Sequence, residues 1–158
     1  MKTDYFNLYS NLNETQKIIL ESTSKWVQKY VKPNIQSSFI SGKPVDLKQQ
    51  LAELGAFGPI FPEKYGGLGL DYISYGLMMK ELEKGDSSVR VMSSIQTSLV
   101  MYAIYSFGSE EQKNKYLPDL ASGKISGSFA MSEPSHGSDI SNMQTKFVTN
   151  DNDIIING

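Results

Sequence analysis

Apolar positions recur at helical spacing from the start of the chain. Ile19, Trp26 and Tyr30, with Leu20, Val27 and Val31 beside them, predict one helix with a single buried stripe. Asn13 and Gln16 stand at capping-box spacing in front of it, and Pro33, which cannot donate to the ladder, is expected to end it. Asp46 can cap a second, short helix with Leu47, Leu51 and Leu54 as its stripe and Gly55 at its C-terminal turn. Asp71 opens a third, running to about Lys84, with Tyr75, Met78, Met79 and Leu82 inward and Gly85 as its stop. A fourth begins near Ser87 or Ser88. Met92, Ile95, Leu99, Tyr102 and Ile104 make it apolar nearly all round, which predicts burial on several sides, and Gly108 ends it. Ser109 and Gln112 repeat the capping-box spacing for a fifth helix, expected to end near Leu117 with Pro118 behind it. Between the second and third helices lies GAFGPIFPEKYGGLGL, Gly55 to Leu70. It holds too much apolar surface for a solvated tether, so it reads as an ordered loop lying close to other backbone.

The period changes after Gly123. Ile125, Gly127, Phe129 and Met131 alternate with Ser126, Ser128 and Ala130, which is a strand pattern. Gln144 to Thr149 and Asp153 to Asn157 read as two further strands, with Asn150, Asp151 and Asn152 as the turn between them. Helices first and strands second predict an all-α N-terminal domain over residues 1–122, followed by the beginning of a β domain over 123–158. About three strands would leave a sheet with open edges, so the sequence is expected to be a truncated one.

Composition narrows the function classes. Apolar residues make up 39% of the 158, enough for a sizeable core. Fifteen basic against seventeen acidic side chains, net −2, argue against a nucleic-acid partner. Without cysteine there is neither a disulfide framework nor a thiolate metal site, and the one histidine, His136, excludes a site needing two imidazoles. No apolar run has the length that spans a bilayer, and no signal or transit peptide is visible. A cytoplasmic protein is expected, or one of the mitochondrial matrix if the source is eukaryotic.

Two places carry candidate chemistry. In Phe129-Ala-Met-Ser-Glu-Pro-Ser-His-Gly-Ser-Asp139 the hydroxyls of Ser132, Ser135 and Ser138 and the amides around Gly137 crowd into one loop. Such a loop can offer donors to an anionic or heteroaromatic ligand. By physics alone an ordinary polar turn is the better reading, because Ser- and Gly-rich loops are common. Arg90 and Ser94, four apart, share a helix face, and Glu83 lies just before the Gly85 break. By physics alone Arg90 reads as a solvated arginine near a helix start. His136 reads as a solvent-facing turn residue, and the methionines and tyrosines as core filling.

FAMSEPSHGSD resembles the signature of the acyl-CoA dehydrogenase family. Three further segments agree in order and spacing: Phe61 to Gly69, Gly108 to Pro118, and Ile155 to Gly158. The run Glu83 to Met101 resembles the glutaryl-CoA dehydrogenase branch, with Val91 after Arg90 where glutaryl enzymes can carry a polar residue. The resemblance implies a helical domain, a β domain and a C-terminal helical bundle. It implies FAD as cofactor, with Phe129, Ala130, Met131 and Ser132 lining the flavin ring and the Ser132 hydroxyl near its N5 edge. Ser138 would meet ligand phosphates or the acyl-CoA. Arg90, Ser94 and Glu83 would hold the far carboxylate of the substrate.

The reaction so implied is oxidation of the Cα–Cβ bond of an acyl-CoA, with loss of carbon dioxide in the glutaryl branch. The catalytic base is expected beyond residue 158, so the chain alone is expected to be inactive and to bind flavin weakly. The resemblance also implies an electron-transfer flavoprotein as acceptor and a homotetramer. Other readings are a short-chain or branched acyl-CoA dehydrogenase, an acyl-CoA oxidase-type flavoenzyme, or a non-catalytic helical interaction module. Retention of Ser132, Glu133, Pro134, Gly137 and Ser138 counts against the last.

Overall fold

Capping side chains decide where the helices start. In the computed structural model, which describes residues 4–150 and 153–158, Asn13 accepts from the Gln16 amide and Gln16 Oε1 accepts from the Asn13 amide, opening α1, Glu14–Trp26. The chain does not stop at Pro33. Its turns widen to π bonding over Val27–Val31, tighten to a 3₁₀ turn over Lys32–Asn34, and continue as α2, Ile35–Ser41. Pro33 falls in the first turn of the new segment, where a missing N–H has no helical partner to lose.

α3, Lys48–Glu53, starts from Leu47 rather than from Asp46, whose carboxylate reaches only the Lys48 amide at 3.4 Å. Asp71 caps α4, Tyr72–Gly85, accepting from the Ser74 amide at 2.6 Å. Asp86 caps α5, Ser87–Ser94, which widens into a π segment over Ile95–Met101 and ends as α6, Tyr102–Phe107. The Ser109–Gln112 capping box opens α7, Glu110–Ala121. Pro118 lies inside α7 instead of behind it. Leu117, Leu120 and Ala121 are buried, so packing holds the last turn. Asn114, four residues before the proline, is exposed, and water can take the carbonyl left unbonded.

Two compact units result, Met1–Ser128 and Phe129–Gly158. In the first, one cluster gathers Trp26, Val27, Val31, Leu51, Phe57, Met78, Leu82 and Val89 from α1 and its extension, α3, α4 and α5. A second gathers Phe61, Tyr65, Met101, Leu117 and Leu120. Each fully buried side chain of this size contributes roughly 1.5–3 kcal/mol relative to exposure. The loop from Gly55 to Leu70 is ordered and close to other backbone, as expected. Its own carbonyls accept from it, with Leu68 N to Pro59 O at 3.3 Å and Gly69 N to Phe61 O at 2.9 Å.

The fourth helical stretch differs from expectation. Leu99 and Tyr102 are more than two-fifths exposed, and the buried residues are Val89, Ser93, Gln96, Thr97 and Met101. The buried face is largely polar because it meets loop backbone instead of side chains.

The expected strand over Ile125 to Met131 is absent. That stretch takes no regular structure and has no strand partner among the described residues. In the second unit, β1, Lys146–Asn150, and β2, Asp153–Asn157, form an antiparallel hairpin with Val148 opposite Ile155. The expected turn there includes Asp151 and Asn152, which lie outside the described residues. Every strand residue described is exposed.

Candidate functional site

Capping of α5 by Asp86 turns the chain sharply after α4 and brings the first face of α5 back over Glu83. Arg90 Nε donates to Glu83 Oε2 at 2.7 Å, and Arg90 Nη1 donates to Ser94 Oγ at 3.3 Å. Ser87 Oγ donates to the other Glu83 oxygen at 2.7 Å. The three residues singled out in the sequence thus meet in one cluster. The Arg90 guanidinium, then the Ser87 hydroxyl, hold the Glu83 carboxyl below the usual carboxylate range. Arg90 remains 35% exposed and Glu83 46%. Of the five N–H donors of a guanidinium, two are engaged by described residues. The remainder can meet an anion.

The loop from Phe129 to Asp139 lies wholly in the second unit. Phe129 is 49% exposed and Met131 43%, while Ala130, Ser132 and Ser138 are also exposed. Apolar surface and hydroxyls therefore stand together at an open face, an arrangement suited to a flat heteroaromatic ligand. Glu133 and His136 exchange backbone bonds, 2.9 and 3.1 Å, across Pro134 and Ser135. The Glu133 carboxylate accepts from the Gln144 amide at 2.8 Å and the Thr145 amide at 2.6 Å. Those two donors, Gln144 first, pull its pKa down to about 2. His136 is a turn residue, but its side chain is 17% exposed and its Nδ1 lies 3.6 Å from Glu133 Oε2. It leans on the carboxylate and does not face solvent, because the tight turn folds it back.

Sequence reasoning passed over a polar stripe on the buried face of α5 and its extension. Ser93 Oγ donates to Ala56 O at 2.6 Å, and Thr97 Oγ1 accepts from Gly58 N at 2.9 Å. Gln96 Nε2 donates to Leu120 O at 2.9 Å and Ile125 O at 3.1 Å. Ser93, Gln96 and Thr97 are spaced three and four apart, the signal of one helix face. A polar stripe in an otherwise apolar helix points to buried backbone partners.

Among the described residues no cluster of three metal-ligating side chains occurs, and no helix is long and apolar enough to cross a membrane. The family model described as "Acyl-CoA dehydrogenase, N-terminal domain" matches residues 13–124. The probable acyl-CoA dehydrogenase YngJ of Bacillus subtilis (strain 168) is 37% identical over 148 residues, 93% of this chain and 39% of that protein. The mitochondrial isovaleryl-CoA dehydrogenase of Pongo abelii is 34% identical over 152 residues, 94% of this chain and 36% of that protein. A solved glutaryl-CoA dehydrogenase of Mycobacterium smegmatis, in complex with FADH2, superposes with a TM-score of 0.91 at 38% identity, over 97% of this chain and 40% of that one. The chain thus spans about two-fifths of the length of these relatives. It belongs to the acyl-CoA dehydrogenase family, matching that family's N-terminal domain.

Proposed function

We propose that the intact protein carrying this chain is an FAD-dependent dehydrogenase that oxidises the Cα–Cβ bond of an acyl-CoA, and that its substrate is glutaryl-CoA, whose far carboxyl leaves as carbon dioxide. The observation that carries the substrate is the Glu83–Arg90–Ser94 cluster, a half-exposed cation held in place by one carboxylate with donors to spare. An apolar acyl end gives such a cation nothing to bond, whereas a second carboxylate can take parallel N–H bonds. The exposed Phe129, Ala130, Met131 and Ser132 fit a flavin ring, and Ser138 fits the phosphates or the acyl-CoA. FAD when bound supplies the hydride acceptor. This chain's residues orient the ring and the far end of the substrate. An electron-transfer flavoprotein as acceptor, a homotetramer, and a cytoplasmic or matrix location complete the reading.

The isovaleryl-CoA relative favours a second reading, a short or branched apolar acyl chain. Steady-state turnover of glutaryl-CoA, isovaleryl-CoA and butyryl-CoA by the intact protein separates the two. Arg90→Gln is expected to lower kcat/KM for glutaryl-CoA about 30-fold or more, the factor carried by about 2 kcal/mol for a lost covered charge pair, and to spare butyryl-CoA. A wild-type preference for isovaleryl-CoA, or equal losses on both substrates, would move the assignment to the apolar acyl chain and make Arg90 structural.

A further inference from the structure

Gln96 is 5% exposed and makes three hydrogen bonds with its side-chain amide. Its Nε2 donates to the carbonyls of Leu120 and Ile125, and its Oε1 accepts from the Gly127 amide at 3.0 Å. In an extended chain the C=O of one residue and the N–H of the residue two further on point to the same side. Ile125 and Gly127 stand in that relation. The Gln96 amide therefore does for this stretch what the N–H and C=O of one residue of a neighbouring parallel strand would do. A slip of the chain by one residue would break both bonds and turn the opposite edge toward the glutamine. The stretch is also held by contact. A Cβ at Gly127 would overlap Cγ1 of Val100, one turn further along the same helix. So the absent strand of the Ile125–Met131 pattern is replaced by a side chain and a bare glycine.

We infer that Gln96 is a positioning residue for the segment that leads into the proposed flavin wall: it fixes the register of the chain over Ile125–Gly127, the last residues but one before Phe129. The same helical stretch carries Arg90 six residues earlier and Ser94 two residues earlier. One helical stretch thus carries the proposed substrate-end cation and the anchor of Ile125 and Gly127. This inference rests on the reading of Phe129–Ser132 as a flavin wall, but its first test needs no flavin.

Amide hydrogen exchange on the 158-residue chain, wild type against Gln96→Leu, reads the pin directly. Exchange at Gly127 is expected to accelerate about tenfold or more, as loss of a buried bond dictates. Amides of α1 and α4 should stay within about twofold of wild type, because local opening leaves distant elements protected. Ser93→Ala, which removes a different buried bond of the same helix, should leave Gly127 unchanged. Should Gln96→Leu fail to fold, Gly127→Ala displaces the same segment from the other side, and adding Val100→Ala should restore part of its protection. In the intact protein loaded with FAD, Gln96→Leu should shift the flavin absorption band and Ser93→Ala should not. Unchanged protection at Gly127, or equal loss across α1 and α4, would overturn the pin. Loss of protection with an unmoved flavin band would overturn its link to the flavin wall. A wild-type protein that takes up no FAD would sink the proposed function while the exchange result still stood.

Discussion

Glu133 links the order of the second unit to pH. Folded, its carboxyl titrates near pH 2, because the amides of Gln144 and Thr145 donate to the charged form. Unfolded, it titrates near the ordinary glutamate value of 4.5. Between these values the unfolded chain binds more protons, so stability there rises with pH. The contribution is fully present above about pH 4.5 and is lost as pH falls toward about 2. Protection of the Gln144 and Thr145 amides, followed by exchange or by NMR shifts, is expected to fade across that window. Glu133→Gln should remove the pH dependence and weaken both bonds at neutral pH, since the amide offers one acceptor oxygen and turns a donor toward the second N–H. Retained protection well below pH 2, or a variant indistinguishable from wild type at pH 7, would show that the carboxylate does not hold the loop. The sequence offered Glu133 only as a motif letter. Its partners lie eleven and twelve residues away, beyond the reach of local pattern.

At the scale of elements, the glycines of the Gly55–Leu70 loop and of α4 invite opposite expectations. A Cβ on Gly67 would run into the carbonyls of Phe61 and Gly58, which are backbone and cannot step aside. Gly67→Ala should therefore lower stability by about 1–3 kcal/mol, as overpacking does. Gly76 lies in mid-α4 with open space where a Cβ would go. Gly76→Ala should raise stability by about 0.5–1 kcal/mol through helix propensity. Urea unfolding of both variants beside wild type checks the pair, and a neutral Gly67→Ala would mean the loop is looser than its contacts imply. This loop also shows where sequence reading reached and where it stopped. Its apolar content marked it as ordered, and the two capping boxes and the Asp71 cap marked helix starts, because those bonds are local. Pro33 and Pro118 misled, since neighbouring packing held helical turns that proline alone would end. The face of α5 and its extension misled too. Ser93, Gln96 and Thr97 are buried against the backbone of Ala56, Gly58, Leu120 and Ile125, partners at sequence separations of 24 to 41. In the candidate site, Arg90 and Ser94 could be paired by helical spacing. The approach of Glu83 depended on the turn at Asp86.

For the molecule as a whole, the units differ in how much they bury. The first has two apolar clusters. The second has a two-stranded hairpin whose described residues are all exposed, including Phe147 and Ile156 at 69% each. A hairpin of this kind is marginal in water by itself. A well-formed ligand pocket buries roughly 70–90% of a drug-sized ligand. Phe129 to Ser132 stand open and present a single face, so a dinucleotide resting on them within this chain would remain largely wet. The relatives that bind the family's cofactor are about two and a half times as long as the matched segment. The 158-residue chain, purified by itself and mixed with excess FAD, is therefore expected to retain little flavin on ultrafiltration and to leave its absorption band where free flavin has it. The intact protein treated alike should retain about one flavin per chain, with the band shifted by its low-dielectric surroundings. Stoichiometric retention by the 158-residue chain would mean that the second unit closes around the flavin by itself. The exposure of Phe129 to Ser132 would then describe the ligand-free chain.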